Sequence, residues 1–188
     1  MTVLIAFATV EGQTAKIARF ISDLAKNAGF NTKLINTDEM PSHVSFDDVV
    51  KVILLAPVHE RKHPKSFEAF VASNRDALMK RKSLVLSVGL KAAFASGREE
   101  ARDYLDEMLL RTGFEPNATA LIAGAVRPEN YGYFEREILQ HVVLLGRKID
   151  PREGAREFTD WDELTLIVIE FLGENGRANT LQPQASTQ

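Results

Sequence analysis

Five short aliphatic or β-branched runs, Thr2–Ala8, Thr32–Asn36, Val49–Pro57, Ser83–Val88 and Ala118–Gly124, alternate along the chain with segments of helical apolar periodicity. Strands separated by helical segments cannot pair through tight hairpins, so each needs a crossover, and crossovers of one hand build a parallel sheet covered on both faces. The pattern predicts an α/β fold: a doubly wound five-stranded parallel sheet with helices on both faces. Ile17, Ile21, Leu24 and Ala28 form the first apolar stripe, and Gly29 stops that helix. A second helix starts near Pro64 and turns Phe67, Phe70 and Val71 inward. A third opens at Ser96-Gly97-Arg98-Glu99, which fits a capping box, and ends at Gly113. The last opens at Thr159-Asp160-Trp161-Asp162 with a hydroxyl cap and early carboxylates, and directs Leu164, Ile167, Val168 and Phe171 to the sheet.

A chain of 188 residues is the size of one such domain. It is expected over residues 1–173, with a polar tail over 174–188 too poor in apolar surface to order itself. The segment 127–158 is a long insertion before the last helix. It carries Tyr131, Tyr133, Phe134, Ile138, Val142, Leu145 and Ile149 at helical spacing. A net charge of −3 offers no field for nucleic acid, and without cysteine there can be no disulfide, thiolate metal site or iron–sulfur cluster. No metal site is expected. The N-terminus reads as a buried strand rather than a leader, and no apolar run reaches about 18 residues, so a cytoplasmic location is expected.

Ligands of doubly wound sheets bind beyond the carboxyl ends of the strands. The loop after the first strand, Thr9-Val10-Glu11-Gly12-Gln13-Thr14, joins a buried strand directly to a helix. Its hydroxyls, its glycine and the free amides of the helix start suit a phosphate. Neither the triphosphate loop Gly-x-x-x-x-Gly-Lys-Ser/Thr nor the dinucleotide fingerprint Gly-x-Gly-x-x-Gly occurs here, which favours a monophosphate. A plain capped turn is the alternative.

These residues resemble the first loop of the flavodoxin family, Ser/Thr-x-Thr-Gly-x-Thr, at Thr9, Gly12 and Thr14, with Glu11 in place of the middle threonine. A carboxylate beside a phosphate dianion is repelled, so Glu11 is left to contribute its backbone N–H. The chain is further similar to the menaquinone-dependent protoporphyrinogen IX dehydrogenases, which carry an acidic residue at that place. The likeness continues through Ser66–Val71, Ser87-Val88 with Leu90, Ala123–Arg127 and Thr159–Trp161, over roughly residues 2 to 172.

The resemblance implies FMN as cofactor, with the flavin ring held by the loops after the third and fourth strands. The residues concerned are Pro57, Val58, His59, Val88, Gly89 and Leu90. It implies an oxidoreductase of haem and porphyrin biosynthesis that takes a porphyrinogen and passes electrons to a quinone, with no protein acid or base singled out. Arg61, Lys91 and Arg127 are the candidate substrate contacts by charge, although exposed basic residues also serve as solubilising ones. His59 and His63 could donate protons or bind propionates, but two histidines in a polar loop are more often solvated. The insertion is either an access element for substrate and quinone or a helix packed on the domain or in a homo-oligomer. Its mixed charges permit at most peripheral contact with a membrane. Two other functions remain open, a flavodoxin-type electron carrier and an FMN-dependent NAD(P)H:quinone reductase.

Overall fold

The structure, a computed structural model, describes residues 1–39, 44–126 and 156–173. Strands β1 (Thr2–Phe7), β2 (Asn31–Asn36), β3 (Val49–Pro57), β4 (Lys82–Gly89) and β5 (Ala118–Ala123) form one parallel sheet in the order β2-β1-β3-β4-β5. The order reverses between β1 and β3, so the loops leaving these two strands flank the crevice where such sheets bind ligands.

Both faces of the inner strands β1, β3 and β4 are covered, which is why these three read as near-continuous apolar runs rather than alternating ones. Val3, Ile5, Phe7, Ile53, Leu55 and Leu86 turn to one face. They pack there against Ile17 and Ile21 of α1 (Gln13–Asn27) and Leu164, Val168 and Phe171 of α5 (Trp161–Gly173). Leu4, Ala6, Leu54 and Ala56 turn to the other face, beneath Phe67 and Val71 of α2 (Lys65–Ser73), Leu78 of α3 (Arg75–Met79), and Leu105 and Met108 of α4 (Arg98–Thr112). The second helical segment is thus split at Asn74, and the first and last helices share a face as the doubly wound pattern requires.

Two caps differ from expectation. The helix α4 starts at Gly97 without a side-chain cap, so the capping box does not form there. At α5 the cap is Asp160, whose Oδ1 accepts from the amides of Asp162 (3.1 Å) and Glu163 (2.9 Å). The Thr159 hydroxyl instead donates to the carbonyl of Ala123 at 2.7 Å.

Beyond β5, the short strands β6 (Ala125–Val126) and β7 (Arg156–Glu157) pair antiparallel. Val126 and Arg156 are therefore held side by side in one ribbon beyond the carboxyl end of β5. The helix expected within the insertion and the expected tail fall at 127–155 and 174–188, outside the described residues, as does Arg127. Among the described residues no helix is long and apolar enough to cross a membrane, and no cluster of His, Asp or Glu could hold a metal ion.

Candidate functional site

Gly12 takes the left-handed conformation, φ +85° and ψ −13°, which lets β1 turn at once into α1. No heavy atom lies within 4 Å of where a Cβ would stand on it, so the backbone here borders open space. The first backbone bond of the helix runs from the Lys16 N–H to the Gly12 carbonyl, at 3.0 Å. The amides of Thr14 and Ala15 consequently have no acceptor within the helix. Thr9 Oγ1 accepts the Gly12 N–H at 3.1 Å and keeps its own proton to donate. The Thr9 N–H is already used, donating to Asp38 Oδ2 at 3.0 Å, while Ser66 donates its hydroxyl to Asp38 Oδ1 at 2.5 Å. Both oxygens of Asp38 are thereby engaged, and the carboxylate ties the loop after β1 to the end of β2 and the start of α2.

The loop residues divide by role. Val10 is exposed and Glu11 half-buried. Gln13 is buried, and its Nε2 donates to Thr159 Oγ1 at 2.9 Å, so its side chain joins the start of α1 to the segment before α5. Donor groups fit for a phosphate are thus Thr9 Oγ1, the first-turn amides and buried Thr14.

The loops after β3 and β4 lie side by side. The Val58 N–H donates to the Val88 carbonyl at 2.7 Å, and the Gly124 N–H to the Gly89 carbonyl at 3.2 Å. Gly89 passes close to Val58, whose Cβ lies 3.5 Å from where a Cβ on Gly89 would be. Pro57, His59 and Leu90 are half-buried beside them. Phe94 meets Phe158 with ring centroids 5.8 Å apart, bringing the strand-four loop against the return of the insertion.

His59 and Lys62 exchange both backbone hydrogen bonds, at 2.9 and 3.0 Å, around Glu60 (φ +48°) and Arg61 (φ +66°). Two successive positive φ values make this a type I′ turn built without glycine, at a cost of about 1 kcal/mol or more per residue. Arg61, at the tip, stands over the Tyr104 ring at 6.0 Å, and Lys91 lies 5.9 Å from the same ring. The two substrate candidates within the described residues are therefore brought together. Between them sits Glu100, which accepts from Lys91 Nζ and from the Tyr104 hydroxyl. These bonds, Lys91 first, hold the Glu100 carboxyl below the usual range, and burial with the Glu100 contact pushes the Tyr104 hydroxyl up to about 12.

His63 corrects the expectation of a solvated side chain: it is only 4% exposed, with Nε2 3.0 Å from Ser87 Oγ on β4. Burial lowers it from 6.5 to about 4. Between those two values the unfolded chain binds the extra proton and the folded one does not, so stability falls as pH drops through this window. Stability should be about 2 kcal/mol lower at pH 5 than at pH 8 from this group. Urea unfolding at both pH values should show the loss in the native protein and a markedly smaller one in His63→Gln. Equal pH dependence in the two would refute the assignment.

Nothing local in the sequence marks Asp38, Glu100 or Tyr104 as partners in the site, and Ser66 is marked only by lying within a stretch that carries the family likeness.

A family model described as a flavodoxin domain matches residues 4–150 of the chain. The chain is 27% identical over 175 residues to the protoporphyrinogen IX dehydrogenase (quinone) of Escherichia coli K12, covering 91% of this chain and 94% of that protein. The same values hold for the protein of that name from Escherichia coli O157:H7. Among solved structures, oxidised flavodoxin 1 from Bacillus cereus superposes with a TM-score of 0.56 at 17% identity, covering 93% of this chain and 99% of that one.

Proposed function

Because the chain belongs to the flavodoxin-domain family, we propose that it is an FMN-dependent dehydrogenase that oxidises a porphyrinogen and passes the electrons to a quinone. Its coarse function is that of an oxidoreductase or electron carrier on a flavodoxin fold, and its cofactor is FMN. The residues of the first loop fit that cofactor: a left-handed Gly12 beside open space, a hydroxyl from Thr9 and first-turn amides form a donor set for one phosphate.

The observation that carries the enzyme reading over the carrier reading is the pairing of Arg61 and Lys91 around Tyr104, at the carboxyl ends of β3 and β4. A docking carrier of this fold usually rims its flavin with acid. Here the rim presents two cations to one carboxylate, which suits a small acidic substrate. Similarity to the named dehydrogenase over nearly the whole chain supports the same reading.

When bound, FMN supplies two-electron oxidation, and a porphyrinogen needs three such rounds, each balanced by reduction of one quinone to quinol. The protein's contribution is positional. Thr9, Val10, Glu11, Gly12, Gln13 and Thr14 form the loop that anchors the phosphate end, Gln13 through its backbone. Pro57, Val58, His59, Val88, Gly89 and Leu90 border the ring. Arg61 and Lys91 meet the acidic substrate, and Arg127, outside the described residues, is the third proposed contact.

Purified protein loaded with FMN should oxidise protoporphyrinogen IX with a soluble menaquinone analogue as acceptor. Porphyrin fluorescence should rise at least ten-fold faster than with free FMN. A rate no faster than free FMN, together with ready electron exchange with a reductase, would make it a carrier.

A further inference from the structure

We propose that Glu100 is the specificity-determining residue of a subsite, formed with Arg61, Lys91 and Tyr104, that binds a single carboxylate of the ligand. The inference deepens the porphyrinogen reading above and rests on it for the identity of the ligand.

The subsite is assembled from three elements. The type I′ turn after β3 lifts Arg61, the turn after β4 supplies Lys91, and the first two turns of α4 supply Glu100 and Tyr104. The α4 start can approach because Gly97 has no side chain: a Cβ there would stand 2.7 Å from the Lys91 carbonyl oxygen. Lys91 and Tyr104 between them occupy both oxygens of Glu100. Arg61 meets Glu100 only through Nη2 at 3.9 Å, beyond hydrogen-bond range, and its side chain is 78% exposed.

Lys91 is thus neutralised within the cluster, while the Arg61 fork remains presented to solvent above an aromatic face. A guanidinium fork takes a carboxylate or a phosphate by paired hydrogen bonds. Two cations and one anion leave a net single positive charge, which one carboxylate balances. A phosphate dianion would over-neutralise it and face Glu100 directly. Glu100 therefore does two things: it fixes Lys91 and Tyr104 beside the fork, and it limits the charge the fork can accept.

Titrating the FMN-loaded protein with protoporphyrin IX and with its dimethyl ester, followed by porphyrin fluorescence anisotropy, tests this apart from turnover. The diacid should bind about ten-fold tighter than the ester. Glu100→Gln should tighten the diacid by about five-fold, the scale of a solvent-screened charge pair, and leave the ester unchanged. Glu100→Asp should stay within about two-fold of native, and Arg61→Ala should abolish the preference for the diacid. Equal binding of diacid and ester, or no tightening in Glu100→Gln, overturns the subsite even where porphyrinogen is turned over. Preferential diacid binding without turnover leaves the subsite standing and removes the dehydrogenase reading. Absence of both binding and turnover removes both.

Discussion

Gly12→Asp should lose FMN affinity by at least about 100-fold while the domain stays folded. Asparagine and aspartate tolerate the left-handed region better than other side chains, and nothing lies within 4 Å of the new Cβ, so the fold meets no clash. The effect comes from charge. A carboxylate about 5 Å from a phosphate dianion repels it by several kcal/mol at an effective dielectric near 20, and screening leaves on the order of 3 kcal/mol. Gly12→Asn has the same shape and backbone tolerance without the charge, and should keep affinity within about ten-fold. Flavin fluorescence quenching gives both constants, and thermal unfolding of the apoproteins checks the fold. An aspartate variant that holds FMN as well as the asparagine one would remove the loop from the phosphate site.

The contrast between these variants depends on a feature legible from sequence alone, a glycine where a buried strand passes into a helix. The inner strands β1, β3 and β4 were legible because burial on both faces demands near-continuous apolar runs. The edge strand β2 has no buried residue, yet the structure moves the ends of all five strands by no more than one residue. What sequence concealed is set by contacts between distant positions. Asp38 joins Thr9 and Ser66 across separations of 29 and 28 residues, and nothing local marks it as other than a surface acid. Glu100 lies in a run of charged residues that reads as a helix N-terminus, and only the close packing at Gly97 brings it beneath Lys91. His63 sits among Lys62, Pro64 and Lys65, a polar neighbourhood, but the tight turn at 59–62 folds the chain back and buries it against Ser87. Thr159 looked like the helix cap because hydroxyls cap helices. Its neighbour Asp160 takes that place, and the threonine instead bonds to Gln13 and Ala123.

Lys51→Met should lower stability by roughly 3 kcal/mol without changing FMN affinity, because this side chain closes the end of α5 from inside the sheet. Lys51 lies on β3 at 1% exposure, an unusual place for an ammonium group. Its Nζ donates to the carbonyls of Phe171 at 2.6 Å and Leu172 at 3.1 Å, and stands 5.2 Å from the centre of the Phe171 ring. The last carbonyls of a helix have no partner within it and carry the negative end of its dipole, so a cation there is stabilised twice over. Methionine fills nearly the same volume, and the packing of Ile53 and Leu55 along the same face should survive the change. The loss would come from leaving two carbonyls without their donor in a place water does not reach, where each unsatisfied group costs about 1–3 kcal/mol. Lys51→Arg should recover only part of the loss, since its planar fork is too large for a site closed around one nitrogen. Urea unfolding should show a lower midpoint at an unchanged slope for Lys51→Met. If its stability matches the native protein within about 0.5 kcal/mol, water reaches the helix end and the lysine is not its cap.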